Sequence, residues 1–163
     1  MHLPYRSIAL SLVFMGFFAI VIDRAQAGGG HFFAPASAPE TQKECGSCHL
    51  VYAPSMLPAS SWTRMMADLS NHFGEDASID ANTARIITTN LVAQAADNGG
   101  QNFSAKLMRD VSLSQAPLRI TELPAWLDKH RKVPDWEWQH KDVQSKSNCT
   151  ACHSTAAKGY YDE

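Results

Sequence analysis

Five consecutive residues near the end of the chain, Cys149-Thr-Ala-Cys152-His153, have a twin at Cys45-Gly-Ser-Cys48-His49. Two thiols three positions apart can reach the two vinyl groups on one edge of a porphyrin. The adjacent histidine then falls under the iron and supplies an axial nitrogen. Cys-x-x-Cys-His is the attachment pattern of c-type haem. The sequence therefore calls for two covalently bound haems, with Cys45, Cys48, Cys149 and Cys152 as thioether donors and His49 and His153 as proximal ligands. All four cysteines of the chain lie in these motifs. An even cysteine count in an exported protein usually means disulfides, but that reading gives no role to a histidine placed directly after each pair. Zinc uses the same residue types, yet its paired motifs are usually tens of residues apart and these lie about a hundred apart. Thioether attachment fits best.

The second axial ligand decides what each iron can do. His/His or His/Met filling favours electron transfer, whereas an open position invites a gas or peroxide. After His153 the chain has no further His or Met before it ends at Glu163. A local distal ligand to that haem is therefore expected from before Cys149, and His130, His140 and Met108 are the candidates. His130 shares an apolar helical stripe with Leu123, Trp126 and Leu127, which is where a ligand must point. His140 lies between Gln139 and Lys141 and reads as a surface residue. For the first haem the candidates are His72, His31, Met56, Met65 and Met66. Met65 and Met66 read as core filling, Met56 lies close behind the motif, and His31 sits in an arm. His72 shares a periodic face with Trp62, Met65 and Leu69 and is the preferred partner of His49.

These residues must be placed by elements that read as mostly α, with long loops. Glu40 to Tyr52 is expected as a short helix carrying the first motif, stopped by Pro54 and Pro58. A helix capped by Ser60 or Ser61 should run to Gly74. Another should run from about Asp80 to Ala96, with Ala84, Ile87, Leu91 and Ala95 on its apolar stripe. Asp97-Asn98-Gly99-Gly100 is the strongest turn signal and separates two haem-centred halves, 28–98 and 99–163. In the second half, Phe103 to Met108 is a weak helix, and Pro117 to Ile120 is extended. Thr121 should cap a helix through about Arg131, with Pro124 in its first turn. Trp136 and Trp138 lie in an irregular stretch, and Ser145 or Ser147 should cap a final motif helix. Neither half could build much core alone at this size, so the macrocycles are expected to serve as their centres.

The N-terminus has a different character. Fifteen uncharged residues, Ile8 to Ile22, follow Arg6 and lead to Ala25-Gln-Ala27. That is the layout of a secretory signal peptide over 1–27 with cleavage after Ala27. The run is short for a bilayer span, which wants about 20 residues, so no stable membrane insertion is expected after cleavage. Export agrees with the motifs, because c-type cytochromes acquire haem outside the cytoplasmic membrane. Removing Arg6, Asp23 and Arg24 takes the charge balance from 14 Lys+Arg and 16 Asp+Glu to 12 and 15, a net −3. With no basic run or basic-aromatic stripe, nucleic acid is not an expected partner. The acidic balance weakly favours partners with positive patches.

Several stretches beyond the haem motifs carry a resemblance. They are Tyr52-Ala-Pro, Leu57-Pro-Ala, Trp62-Thr-Arg-Met-Met-Ala-Asp-Leu-Ser-Asn-His72-Phe-Gly, Pro117-Leu-Arg-Ile-Thr-Glu-Leu-Pro-Ala-Trp126, and His130-Arg-Lys-Val-Pro. With the two attachment sites, they make the chain resemble the small bacterial dihaem cytochromes c of the periplasm. The resemblance implies bis-histidine haems, with His72 and His130 as distal ligands, and it lowers the claim of His31 and His140. It also implies electron transfer between a membrane cytochrome b and a soluble haem protein, with no substrate bond made or broken. The competing expectation is a dihaem enzyme or ligand-binding protein, peroxidase-like or gas-binding, with one open or displaceable site. A haem-based sensor or a permanently membrane-bound subunit forms a third class.

Overall fold

The computed structural model describes residues 31–98 and 102–161. The expected signal peptide and the Gly99-Gly100 part of the central turn lie outside these residues. Among the described residues, six short α-helices are joined by 3-10 turns and loops: α1 (Pro39–Cys45), α2 (Ala59–Met66), α3 (Ala81–Ala93), α4 (Asn102–Leu107), α5 (Pro124–His130) and α6 (Asp135–Trp138). Among the described residues, pairing of extended backbone is limited to two isolated bridges. The mostly α expectation holds. No helix among the described residues is long and apolar enough to cross a membrane.

The longest helix is also the one the sequence marks best. Asp80 Oδ1 accepts hydrogen bonds from the backbone N–H groups of Asn82 and Thr83, at 3.1 and 3.0 Å, satisfying donors the first turn leaves unpaired. Ile87, Leu91 and Ala95 are buried at helical spacing. They pack with Leu57 and Trp62 of the first half and with Leu123 and Trp126 of the second in one apolar cluster. The two haem-motif halves therefore share a core. A smaller cluster of Phe33, Ala53 and Met56 is extended by Phe103 and Tyr161.

Several helix boundaries differ from the periodic reading. Helix α1 ends at Cys45, and the rest of the first motif lies in turns. Helix α2 is preceded by Pro58 rather than capped by Ser60 or Ser61; Ser60 Oγ instead donates to the Leu113 carbonyl. It stops at Met66, well before Gly74. The intervening Asp68-Leu-Ser-Asn71 contains residues that favour turns and caps over helix interiors, and Leu69–Asn71 forms a 3-10 turn. Leu123, not Thr121, precedes α5, with Pro124 at its first position as expected. Leu127 is 49% exposed, so it leaves the apolar stripe. The last motif carries a 3-10 turn, Cys149–Ala151, preceded by Asn148, in place of a helix capped by Ser145 or Ser147.

The arm is tied down. Phe33 N–H donates to the Gly159 carbonyl at 2.8 Å, and Tyr161 N–H donates to the His31 carbonyl at 3.1 Å. Phe32 lies against the Tyr160 ring at 4.8 Å. Gly159 makes this clasp possible. Its φ of 89° suits a residue without Cβ, and a Cβ there would run into the Phe33 carbonyl.

Candidate functional site: two facing histidine pairs

Each motif histidine faces a second imidazole across a gap of nearly the same size. His49 and His72 have ring centroids 6.1 Å apart. His130 and His153 are 6.2 Å apart. Two metal–imidazole bonds of about 2.0 Å, plus about 1.1 Å from each nitrogen to its ring centroid, would span about 6.2 Å. Both centroid separations thus match the span of one iron held between two imidazoles.

His72 is presented by a tight turn rather than a helix face. Its N–H donates to the Glu75 carbonyl at 2.8 Å, and Glu75 N–H donates back at 3.2 Å. Phe73 and Gly74 between them have φ of 56° and 102°, the positive values of a two-residue hairpin turn. A non-glycine residue at positive φ is unusual. The Arg119 guanidinium lies over the Phe73 ring at 4.0 Å and helps hold it there. Burial, then the nearby His49 and Arg119, keep the His72 pKa below its ordinary value, which favours the neutral imidazole a metal requires. On the other side of the gap, His49 Nδ1 lies 2.6 Å from the Leu50 carbonyl. A carbonyl only accepts, so Nδ1 carries the proton and Nε2 keeps its lone pair in the neutral ring.

The second pair is built the same way from different elements. His130 ends α5, and its Nδ1 donates to the Trp126 carbonyl one turn back at 2.8 Å. This bond again leaves Nε2 as the available lone pair. The Trp126 ring stacks on His130 at 4.1 Å and 16°, and Trp138 closes the group at 6.1 Å. Opposite, His153 is half-buried and lies 5.7 Å from the Tyr161 ring. A cavity of about 890 Å³ opens between the pair, with Cys149 on its wall. Phe33, Met56 and Ile120 give it apolar surface, and its charged lining is mixed, with Lys106, Arg109 and Lys129 alongside Asp110 and Asp128.

The donor set fits haem and not a bare metal ion. Among the described residues, no group of three or more His, Cys, Asp or Glu could hold a metal ion. Structural zinc needs four protein ligands, whereas a porphyrin brings its own four nitrogens and asks only for axial donors. The four cysteine sulfurs are not joined to one another. Burial pushes the Cys45 and Cys149 thiols above their ordinary range, so these sulfurs rest as thiols before attachment.

The remaining candidates occupy other places. His31 lines the cavity of the second pair and meets Phe103 edge-on at 4.8 Å, so it lies beside the second site and not the first. Met56 is buried on the wall of that same cavity. Met65, Met66 and Met108 pack against the shared core. His140 is exposed, and its ring lies near the backbone and carboxylate of Asp142. Sequence reasoning missed the cations of the cavity, the Trp126–Trp138 support of His130 and the arm contact. Only the tryptophans, flanking His130 in sequence, gave any signal.

Comparison with known proteins agrees with this arrangement. The family described as "Dihaem cytochrome c" matches residues 41–161. The diheme cytochrome c from Rhodobacter sphaeroides is 42% identical, with a TM-score of 0.71 over 78% of this chain and 98% of that one. A diheme cytochrome type c from Shewanella baltica OS155 is 34% identical, with a TM-score of 0.61 over 76% of this chain and 86% of that one. No curated protein sequence matches. With the match spanning both attachment motifs and both facing pairs, the chain belongs to the dihaem cytochrome c family and carries two covalently bound c-type haems.

Proposed function

We propose that this protein is an exported electron carrier with two six-coordinate haems, His49 with His72 and His153 with His130. The observation that carries this reading is the pair of gaps, 6.1 and 6.2 Å, each flanked by opposed imidazoles. The haems supply a one-electron Fe(III)/Fe(II) couple, and the chain's own task is to keep both axial positions filled. It does so with three Nδ1–carbonyl bonds or turns that aim a nitrogen inward: Leu50 for His49, Trp126 for His130, and the Phe73-Gly74 turn for His72. A filled axial position leaves no room for peroxide or gas. His/His ligation also holds the potentials below those of His/Met haems.

The family resemblance supports a membrane cytochrome b as the partner on one side and a soluble haem protein on the other. Periplasmic location and cleavage after Ala27 belong to the same proposal, and the mass of the exported protein tests them. For ligation, two spectra suffice. The oxidised protein should lack the thioether–iron charge-transfer band, and the dithionite-reduced protein should not bind carbon monoxide at either haem. Carbon monoxide binding at one haem would turn the reading to a ligand-binding or peroxidase-like protein.

A further inference from the structure

Tyr52 touches both sites. Its ring stacks on His49, with centroids 5.3 Å apart and planes 28° apart. Its hydroxyl donates to the Ser147 carbonyl at 2.8 Å, across 95 positions of sequence. That same carbonyl accepts the backbone N–H of Cys149 at 3.0 Å. It is therefore the anchor of the turn that presents Cys149, the first cysteine of the second motif. The Tyr52 side chain is half-buried and packs against both apolar clusters. On the far side of the turn, Tyr161 lies against His153. One side chain thus runs from the proximal imidazole of the first haem to the attachment turn of the second.

We infer that Tyr52 is the positioning residue that fixes the two haem sites relative to each other, with its ring set on His49 and its hydroxyl on Ser147. The two ends do different work. The ring restricts the rotation of His49 about the axis toward its iron. The hydroxyl holds the Ser147–Cys149 turn, and through it the edge of the second macrocycle. Hydrogen bonding and burial around a haem tune its potential, so a residue of the first half should influence the second haem. This inference rests on the proposed electron-carrier reading for its functional meaning, because two sites held at fixed separation exchange electrons at a fixed rate.

The test uses the full holoprotein with both haems, as wild type, Tyr52→Phe and Tyr52→Leu. The two haems are assigned beforehand by which signal is lost in His72→Ala. Tyr52→Phe keeps the ring and removes one neutral hydrogen bond. It should raise amide exchange at Cys149 about five-fold, the change in opening equilibrium that one such bond supports. It should also shift the midpoint potential of the second haem and leave the first unchanged. Tyr52→Leu should shift both potentials and slow the redistribution of an electron between the haems after rapid one-electron reduction. If Tyr52→Phe alters only the first haem, or neither the second potential nor Cys149 exchange, the positioning role is wrong. Wild-type spectra judge the ligation reading separately. A wild-type protein with an open haem would overturn that reading, whereas the Tyr52→Phe amide exchange would still decide whether the contact with Ser147 positions the second attachment turn.

Discussion

His49 and His72 present nearly parallel rings, 17° apart. The other pair, His130 and His153, is close to perpendicular at 84°. The difference has an origin in how each imidazole is held. His49 is stacked on Tyr52 and His72 sits in a tight turn, while His130 lies flat on Trp126, whose ring sets its plane. In a low-spin ferric haem, parallel imidazole planes lift the near-degeneracy of two iron d orbitals, and perpendicular planes preserve it. With both pairs as axial ligands, the oxidised protein should give two distinct low-spin electron paramagnetic resonance signals. One should be rhombic and the other strongly anisotropic with a large highest g value. Two superimposed rhombic signals would contradict the perpendicular arrangement.

Removing one distal imidazole should affect one haem. His72→Ala and His130→Ala are each expected to convert half of the haem content to high spin, and to create one carbon monoxide site on reduction. His140→Ala should change neither spectrum, since that residue is exposed. His31→Ala should leave both haems low-spin and perturb only the second, whose cavity it lines. A high-spin fraction in His31→Ala or His140→Ala would reassign the ligand.

How much of this could be read from the chain itself depends on distance along it. The attachment motifs are local patterns, so the two covalently bound haems are legible in the chain itself. That His130 shares a face with Trp126 is legible because the two recur at helical spacing in a segment that is a helix, with Leu123 just before it. His72 was reached by the same periodicity, but its helix ends at Met66, and the residue is delivered by a turn that Phe73-Gly74 only hints at. What stayed hidden is non-local. The clasp between His31 and Tyr161 and the bond from Tyr52 to Ser147 join segments far apart in sequence, 95 positions in the second case and more in the first. No pattern in either segment names the other. The shared core belongs to this class too, since each helix stripe shows that it must be buried and not against what.

That shared core predicts a single unfolding transition. Leu57, Ile87 and Leu123 are at most 1% exposed and come from both sides of the central turn. Leu123→Ala removes a buried side chain of the second half and should cost about 2–5 kcal/mol. Guanidinium unfolding followed by helix circular dichroism and by the spectral signature of each haem should give one midpoint, lowered equally for all probes. A variant in which the second haem's environment melts first, with the first unchanged, would show two separately stable units.

Gly159 offers a local test of the arm. Its positive φ and the Phe33 carbonyl at its Cα leave no place for a methyl group. Gly159→Ala should destabilise the holoprotein by about 1–3 kcal/mol. Because the clasp covers one edge of the second cavity, amide exchange at Phe33 and Tyr161 should rise before any other region opens. Unchanged exchange at both amides, with stability intact, would mean that the arm is not held by this contact.

Acid dependence enters at the N-cap of α3. Hydrogen bonds from Thr83, then Asn82, hold the Asp80 carboxyl below its ordinary value of 3.8. A depressed folded-state pKa means the unfolded chain binds the proton more readily. The cap's contribution is therefore complete above the ordinary value and is lost as pH falls through the lower, folded one. Asp80→Asn keeps a capping oxygen without a titrating group, so its stability relative to wild type should improve as the solution is acidified below that value. Asp80→Ala should instead lower the unfolding midpoint at neutral pH, by an amount that shrinks in acid. Parallel pH profiles for wild type and Asp80→Asn would show that the carboxylate charge contributes nothing beyond the hydrogen bonds it accepts.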